Sequence, residues 1–292
     1  MLRRVAARFV ICLVAIVPAF AQGDDGTLLR LKYQAGEILR YHVVLDGAGS
    51  ISVAGQQQPL SIQGTFDNLM AIEGVDPDGN YIIVSSYDNL NLAVAVNNED
   101  LDFPLQMPKM RFLLTPAGRV VKMELLEEQQ ETPAGQSLES LVSSSLDLES
   151  LLSDLKCAPF PEQAVKPGEE WDGVMPVAVG GGDVAPQMKM HLRYAANEAH
   201  LGRQCVRLET THELPFGGEG GEGGIFDIKG LERGNTVSWF DPELGRVIAD
   251  ESAQNLELNL DLPAGLTAGM QQVGIFVEVM VEAQTELATG ED

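Results

Sequence analysis

The 292-residue chain carries 43 Asp and Glu against 19 Lys and Arg, a formal net charge of −24. A surplus of that size repels nucleic acid and anionic membrane surfaces and argues against both as partners.

The chain opens MLRRVAARFVICLVAIVPAFAQ. Arg3, Arg4 and Arg8 form a cationic start, Val10 to Val17 an apolar run, and Ala19-Phe20-Ala21 a small-residue cleavage site. This is the pattern of a secretory signal peptide over residues 1–21, cut between Ala21 and Gln22. The apolar run is too short to span a hydrocarbon core of about 30 Å, and the mature chain contains no segment long enough to do so. Cutting removes three Arg and no acid, which takes the net charge from −24 to −27. The expected location is therefore exported, periplasmic or extracellular.

From Gln22 onward, alternation of apolar and polar residues dominates, the period expected of strands with one wet face. Residues 22–135 read as a first β-unit. Leu29-Arg30-Leu31-Lys32-Tyr33 alternates, and Ala35-Gly36-Glu37 introduces the next strands. Asp76-Pro77-Asp78-Gly79-Asn80 resembles the start of an EF-hand loop, but Tyr81 stands where that loop needs Gly, so a tight turn is expected. TPAGRVVKME (115–124) reads as a hairpin, with Pro116 presetting one corner and Gly118 free to take positive φ.

Residues 136–166 are expected to hold an amphipathic helical segment and a proline-containing linker. The helical pattern lies in SLESLVSSSLDLESLLSDL (137–155), with leucines at three- and four-residue steps. In CAPFPEQAVKPGEEW (157–171), Pro159, Pro161 and Pro167 discourage helix.

Residues 167–292 read as a second β-unit. Pro167-Gly168-Glu169 opens it as Ala35-Gly36-Glu37 opens the first, and DPELGRVIADE (241–251) repeats the Gly-Arg-Val hairpin. From Gly36 to Gly118 is 82 positions and from Gly168 to Gly245 is 77. Met188 to Tyr194, Leu256 to Leu262 and Ile275 to Ala283 alternate cleanly, while Gly202-Arg203 and Gly234-Asn235 read as turns between strands. GGEGGEGG (217–224) has neither the following helix nor the cation of a phosphate loop and reads as a surface loop. The predicted class is all-β and mainly antiparallel with one inserted amphipathic helical segment, its two related β-units forming a sandwich or an open barrel.

Candidate chemistry is sparse. Cys157 and Cys205 are the mature cysteines and form a candidate disulfide in an oxidising compartment, with two buried thiols as the alternative. His191, His200 and His212 are separated by nine and twelve residues and match no metal-ligand spacing. There is no Gly-x-Ser-x-Gly. Arg119 and Arg246, one in each hairpin, are read as strand-start arginines lying over neighbouring carboxylates. No catalytic residue, metal ligand or cofactor is assigned, and no ligand-binding residue is singled out.

Leu29, Leu31, Tyr33, Gly36 and Glu37, the Lys-Pro-Gly-Glu-Glu-Trp of 166–171 and the late Gly-Arg-Val hairpin together resemble a family of uncharacterised exported, β-rich bacterial proteins. That resemblance implies a secreted β-rich fold, with Gly168 and Trp171 serving the turn and core of the second unit, and transfers no catalytic residue. The leading functional expectation is a non-enzymatic exported protein that binds an apolar or peptide-like ligand, or that serves as an envelope scaffold beside an envelope protein. The alternatives are a carboxylate-dependent hydrolase and a surface interaction protein stabilised by divalent cations.

Overall fold

The computed structural model describes residues 26–53, 55–101, 109–126, 159–176, 187–219, 227–262 and 273–288. These build one twelve-stranded antiparallel sheet. Its strands are β1 (Ile38–Val53), β2 (Gln56–Val75), β3 (Tyr81–Val96), β4 (Glu99–Leu101), β5 (Met110–Leu114), β6 (Val120–Leu125), β7 (Glu170–Pro176), β8 (Gln187–His200), β9 (Arg203–Glu219), β10 (Asp227–Asp241), β11 (Arg246–Leu262) and β12 (Val273–Leu287). The order across the sheet is β6-β5-β3-β2-β1-β12-β11-β10-β9-β8-β7, with β4 paired to β3. The all-β, antiparallel class is as predicted. A sandwich is not formed: a single sheet rolls into a nearly closed barrel. The leucine-striped segment 137–155 lies outside the described residues. Among the described residues no helix is long and apolar enough to cross a membrane.

Rolling follows from long strands with one apolar face. Val43, Leu45 and Ile51 of β1, Ile62 and Phe66 of β2, and Leu256, Val277 and Val279 of β11 and β12 join one buried cluster. Val94 of β3 and Leu214 of β9, far apart in strand order, belong to that same cluster. A flat sheet could not bring them together, and curling removes the apolar face from water without a second layer. Glycines permit the bend. A Cβ on Gly49 would lie 2.0 Å from the Glu278 carbonyl oxygen and 2.7 Å from Val279 Cα, so β1 and β12 approach as closely as they do only over a bare backbone.

A second cluster closes one end. Tyr41, Met70, Ile83, Leu114, Tyr194 and Phe240 converge there on Leu29, Leu31 and Tyr33. The Leu29–Tyr33 alternation, expected to form a strand, is instead an extended strap outside the sheet. Its backbone bonds to the two hairpin corners, Leu31 N–H to the Pro116 carbonyl (2.8 Å) and Lys32 N–H to the Gly245 carbonyl (3.0 Å). The two Gly-Arg-Val turns therefore flank one segment. The linker after 158 performs a related task between the edge strands: Phe160 N–H bonds the Ala117 carbonyl in the β5–β6 turn (2.7 Å), and Trp171 Nε1 on β7 donates to the Pro159 carbonyl (2.9 Å).

Matching local bonds recur at the starts of β1 and β7. Glu37 Oε2 accepts from Gln34 N–H and Glu169 Oε2 accepts from Lys166 N–H (3.2 and 3.0 Å). Gly36 N–H bonds the Ile72 carbonyl as Gly168 N–H bonds that of Tyr194. Gly36, Gly118, Gly168 and Gly245 all have positive φ. The repeated arginines both meet carboxylates in different surroundings. Arg119 reaches Glu162 at 3.6 Å on the surface, whereas buried Arg246 donates to Glu37 at 2.5 Å and lies over the Tyr33 ring. Gly202 and the Asp76–Asn80 segment are turns as predicted. In the latter, Asp76 Oδ1 accepts from the amides of Asp78 and Asn80.

Two consequences are measurable. Gly49→Ala should cost about 1–3 kcal/mol through overpacking against β12. Gly74→Ala on β2, where a Cβ meets nothing within 4 Å, should change stability by less than about 0.5 kcal/mol; urea denaturation of both variants reads the difference. Asp241, at the β10–β11 corner, is the second case. Burial pushes its carboxyl up, but the bond from Arg203 and the amides of Leu244 and Glu243 outweigh that and hold it below the ordinary 3.8. Its contribution is complete above that ordinary value and disappears as pH falls through the lowered folded value. Asp241→Asn should therefore flatten the loss of stability on acidification below 3.8, followed by urea midpoints across pH.

Candidate functional site on the concave face

Strand alternation and register decide which side chains point inward. On β9 the inward set runs Val206, Leu208, Thr210, His212 and Leu214, opposite Phe240, Ser238, Thr236, Gly234 and Glu232 of β10. On β11 the same rows continue as Asp250, Ser252, Gln254 and Leu256. The middle of the barrel wall between the two apolar clusters is thus polar. Thr210, Asp250, Ser252, Gln254 and Thr285 are all buried there. Across the barrel, Asn68 Nδ2 donates to Ser85 Oγ at 3.4 Å, also buried.

The sharpest feature of this belt is the pair His212 and Glu232. Their side chains are 6 % and 4 % exposed, and His212 Nε2 donates to Glu232 Oε1 at 3.2 Å. Glu232 lies in a row with Leu214 and Leu256, members of the apolar cluster. Its second oxygen, Oε2, is buried and has no hydrogen-bond partner among the described residues. The imidazole lies over Gly234: a Cβ there would come within 2.5 Å of His212 Cε1. Gly234-Asn235, expected as a turn, sits inside β10 for that reason. A buried carboxylate in apolar surroundings is costly unless paired and fully bonded, and this one is only half bonded.

Other residues singled out in the sequence lie elsewhere. His191 projects from the outer face of β8, with Lys189 and Arg193 on either side of it in the same phase. There His191 bonds Asp172 at 2.9 Å, which raises its pKa against a smaller opposing effect of desolvation, and Arg193 bonds Glu209 at 3.2 Å. His200 stacks on Trp239, ring centroids 3.9 Å apart, and Trp239 Nε1 donates to Glu198 at 2.5 Å. Cys205 belongs to this outer patch with Trp239 and Ile248, and burial pushes its thiol up to about 11. Cys157 lies outside the described residues, and the pairing of the two cysteines with it. Trp171 packs partly buried against the end cluster. Among the described residues no group of three or more His, Cys, Asp or Glu gathers in a metal-binding arrangement. Sequence reasoning missed Glu232 and found in His212 only the absence of a metal-ligand spacing; the available signal was a His in phase with Val206, Leu208 and Leu214 on one strand.

No family model matches the chain, and no curated protein matches it. Among solved structures, a DUF1329 family protein from Desulfovibrio piger is similar over 86 % of this chain and 87 % of its own, at 8 % identity and a TM-score of 0.17. A likeness at that TM-score carries no inference. The class established by the fold is a rolled, single-sheet antiparallel β protein.

The buried pair makes a direct prediction. His212→Leu leaves the carboxylate uncompensated and should cost about 3–5 kcal/mol, whereas His212→Leu with Glu232→Leu should be neutral or stabilising. A double-mutant cycle on urea midpoints measures both.

Proposed function

We propose that this is an exported, non-enzymatic protein that holds an apolar ligand against the concave face of its rolled sheet. The observation that carries the reading is the composition of that face. Apolar residues of β1, β2, β11 and β12 line one end, and a buried polar belt lies immediately beside them. Small-ligand sites combine these two elements, an apolar lining for affinity and a few placed polar groups for orientation. Export rests on the signal-peptide pattern of residues 1–21 and accounts for an acidic mature chain kept soluble by its charge. The same reading takes residues 22–135 and 167–292 as two rounds of one β-unit separated by the segment 136–166. The matched bonds of Glu37 and Glu169 support it. Its relation to uncharacterised exported bacterial proteins belongs with this proposal, as does a Cys157–Cys205 bridge.

Mass spectrometry of protein recovered from the exported fraction tests the set together. The denatured chain should begin at Gln22, and a Cys157–Cys205 bridge should leave it lighter by two hydrogens. Under native conditions an added mass that extracts into organic solvent is expected. A clean protein mass, together with failure to bind any apolar fluorescent probe, would remove the ligand-carrying function.

A further inference from the structure

We infer that the ligand of the concave face carries a hydrogen-bond donor, a hydroxyl or an ammonium, and that this head docks on Glu232 Oε2. The inference rests on the apolar-ligand reading above and specifies its polar end. Glu232 Oε1 is occupied by His212, while Oε2 is buried without a partner. With His212 donating to one oxygen of a carboxylate, the other can only accept, so the partner we infer for Oε2 is a donor. No protein donor among the described residues supplies it, and an unmade bond to a buried oxygen is the expensive case. The in-phase neighbours of Glu232 along β10 are Gly230 and Gly234, so no side chain of its own strand flanks it on the concave face. The cross-strand neighbours are Leu214 and Leu256, with Val279 next in the row. A head on Oε2 therefore has apolar side chains beside it for its chain. An acceptor head such as an ester, ether or carboxylate would meet the oxygen with like polarity.

Displacement of a bound apolar fluorescent probe from the mature protein tests this with three molecules of equal chain length: dodecanol, dodecyl methyl ether and dodecylamine, each below its micelle concentration. The alcohol and ether are both neutral, so the acidic protein surface does not discriminate between them. The alcohol should displace at a concentration about tenfold lower than the ether, and Glu232→Gln should reduce that ratio to about twofold or less. An amine that gains further over the alcohol in the wild type but not in Glu232→Gln assigns a charged donor; equal gains in both assign the hydroxyl, the excess arising from net charge. Equal displacement by alcohol and ether, or an alcohol preference that survives Glu232→Gln, overturns the inference while leaving apolar carriage intact. Displacement by none of the three overturns carriage and this inference with it. Should Glu232→Gln fail to fold, the wild-type order of alcohol and ether decides.

Discussion

A sheet of twelve strands with one apolar face must cover that face, and here the covering is done by the sheet itself. Curling places β3 and β9 in one cluster with β1 and β12, so each strand's inward residues are buried by strands distant in order. The arrangement depends on period-2 alternation along the long strands, interrupted only locally by bulges such as those at Thr65–Asp67 and Trp239–Phe240, because a one-residue slip of a whole strand would turn its apolar set outward. It also depends on bare backbone where β1 and β12 come closest, at Gly49, whose Cβ would collide with Glu278 and Val279. The two ends of the roll are then different problems. One is closed by the strap Leu29–Tyr33 and the segment at Phe160, both tied to the hairpin corners. Toward the other end the wall turns from polar to apolar.

Much of this was legible from residues. The inward phases of β11 and β12 are visible in Leu256, Leu258, Val277 and Val279, and the structure buries all four. The turns at Asp76–Asn80 and Gly202 were also readable, because Asx bonding and positive φ have local chemical causes. Two features were not. Leu29–Tyr33 alternates like a strand, since an extended strap over an apolar end has the same inside-outside period; only its bonding partners, the corners at Pro116 and Gly245, distinguish it. Gly234-Asn235 has turn composition, yet its glycine is required by a ring from the neighbouring strand, and that is a tertiary cause.

The candidate site was the least legible part, for a related reason. β10 places Glu232, Gly234, Thr236 and Ser238 on its inward phase. These residues do not form the apolar stripe by which an inward face is recognised. A strand that lines a polar belt inside a barrel looks in sequence like a strand with two wet faces. His212 was no easier to read, since its partner lies twenty residues away and meets it only through the β9–β10 pairing.

The distribution of carboxylates supplies the final step. Acidic residues are so numerous that no single one stands out in sequence, and the convex face tolerates their crowding. Asp46 stands opposite Glu282 across β1 and β12, and Glu257 opposite Glu278 across β11 and β12. On a surface bathed in water such like-charge pairs cost on the order of 1 kcal/mol or less. Glu232 faces different physics. Within an apolar row, a carboxylate oxygen without a partner costs more than a surface repulsion does, and an uncharged residue of similar volume would remove the cost altogether. Exposed acids on the convex face thus report on solubility, whereas Glu232, buried in an apolar row with one oxygen unpartnered among the described residues, is an acid that solubility does not explain.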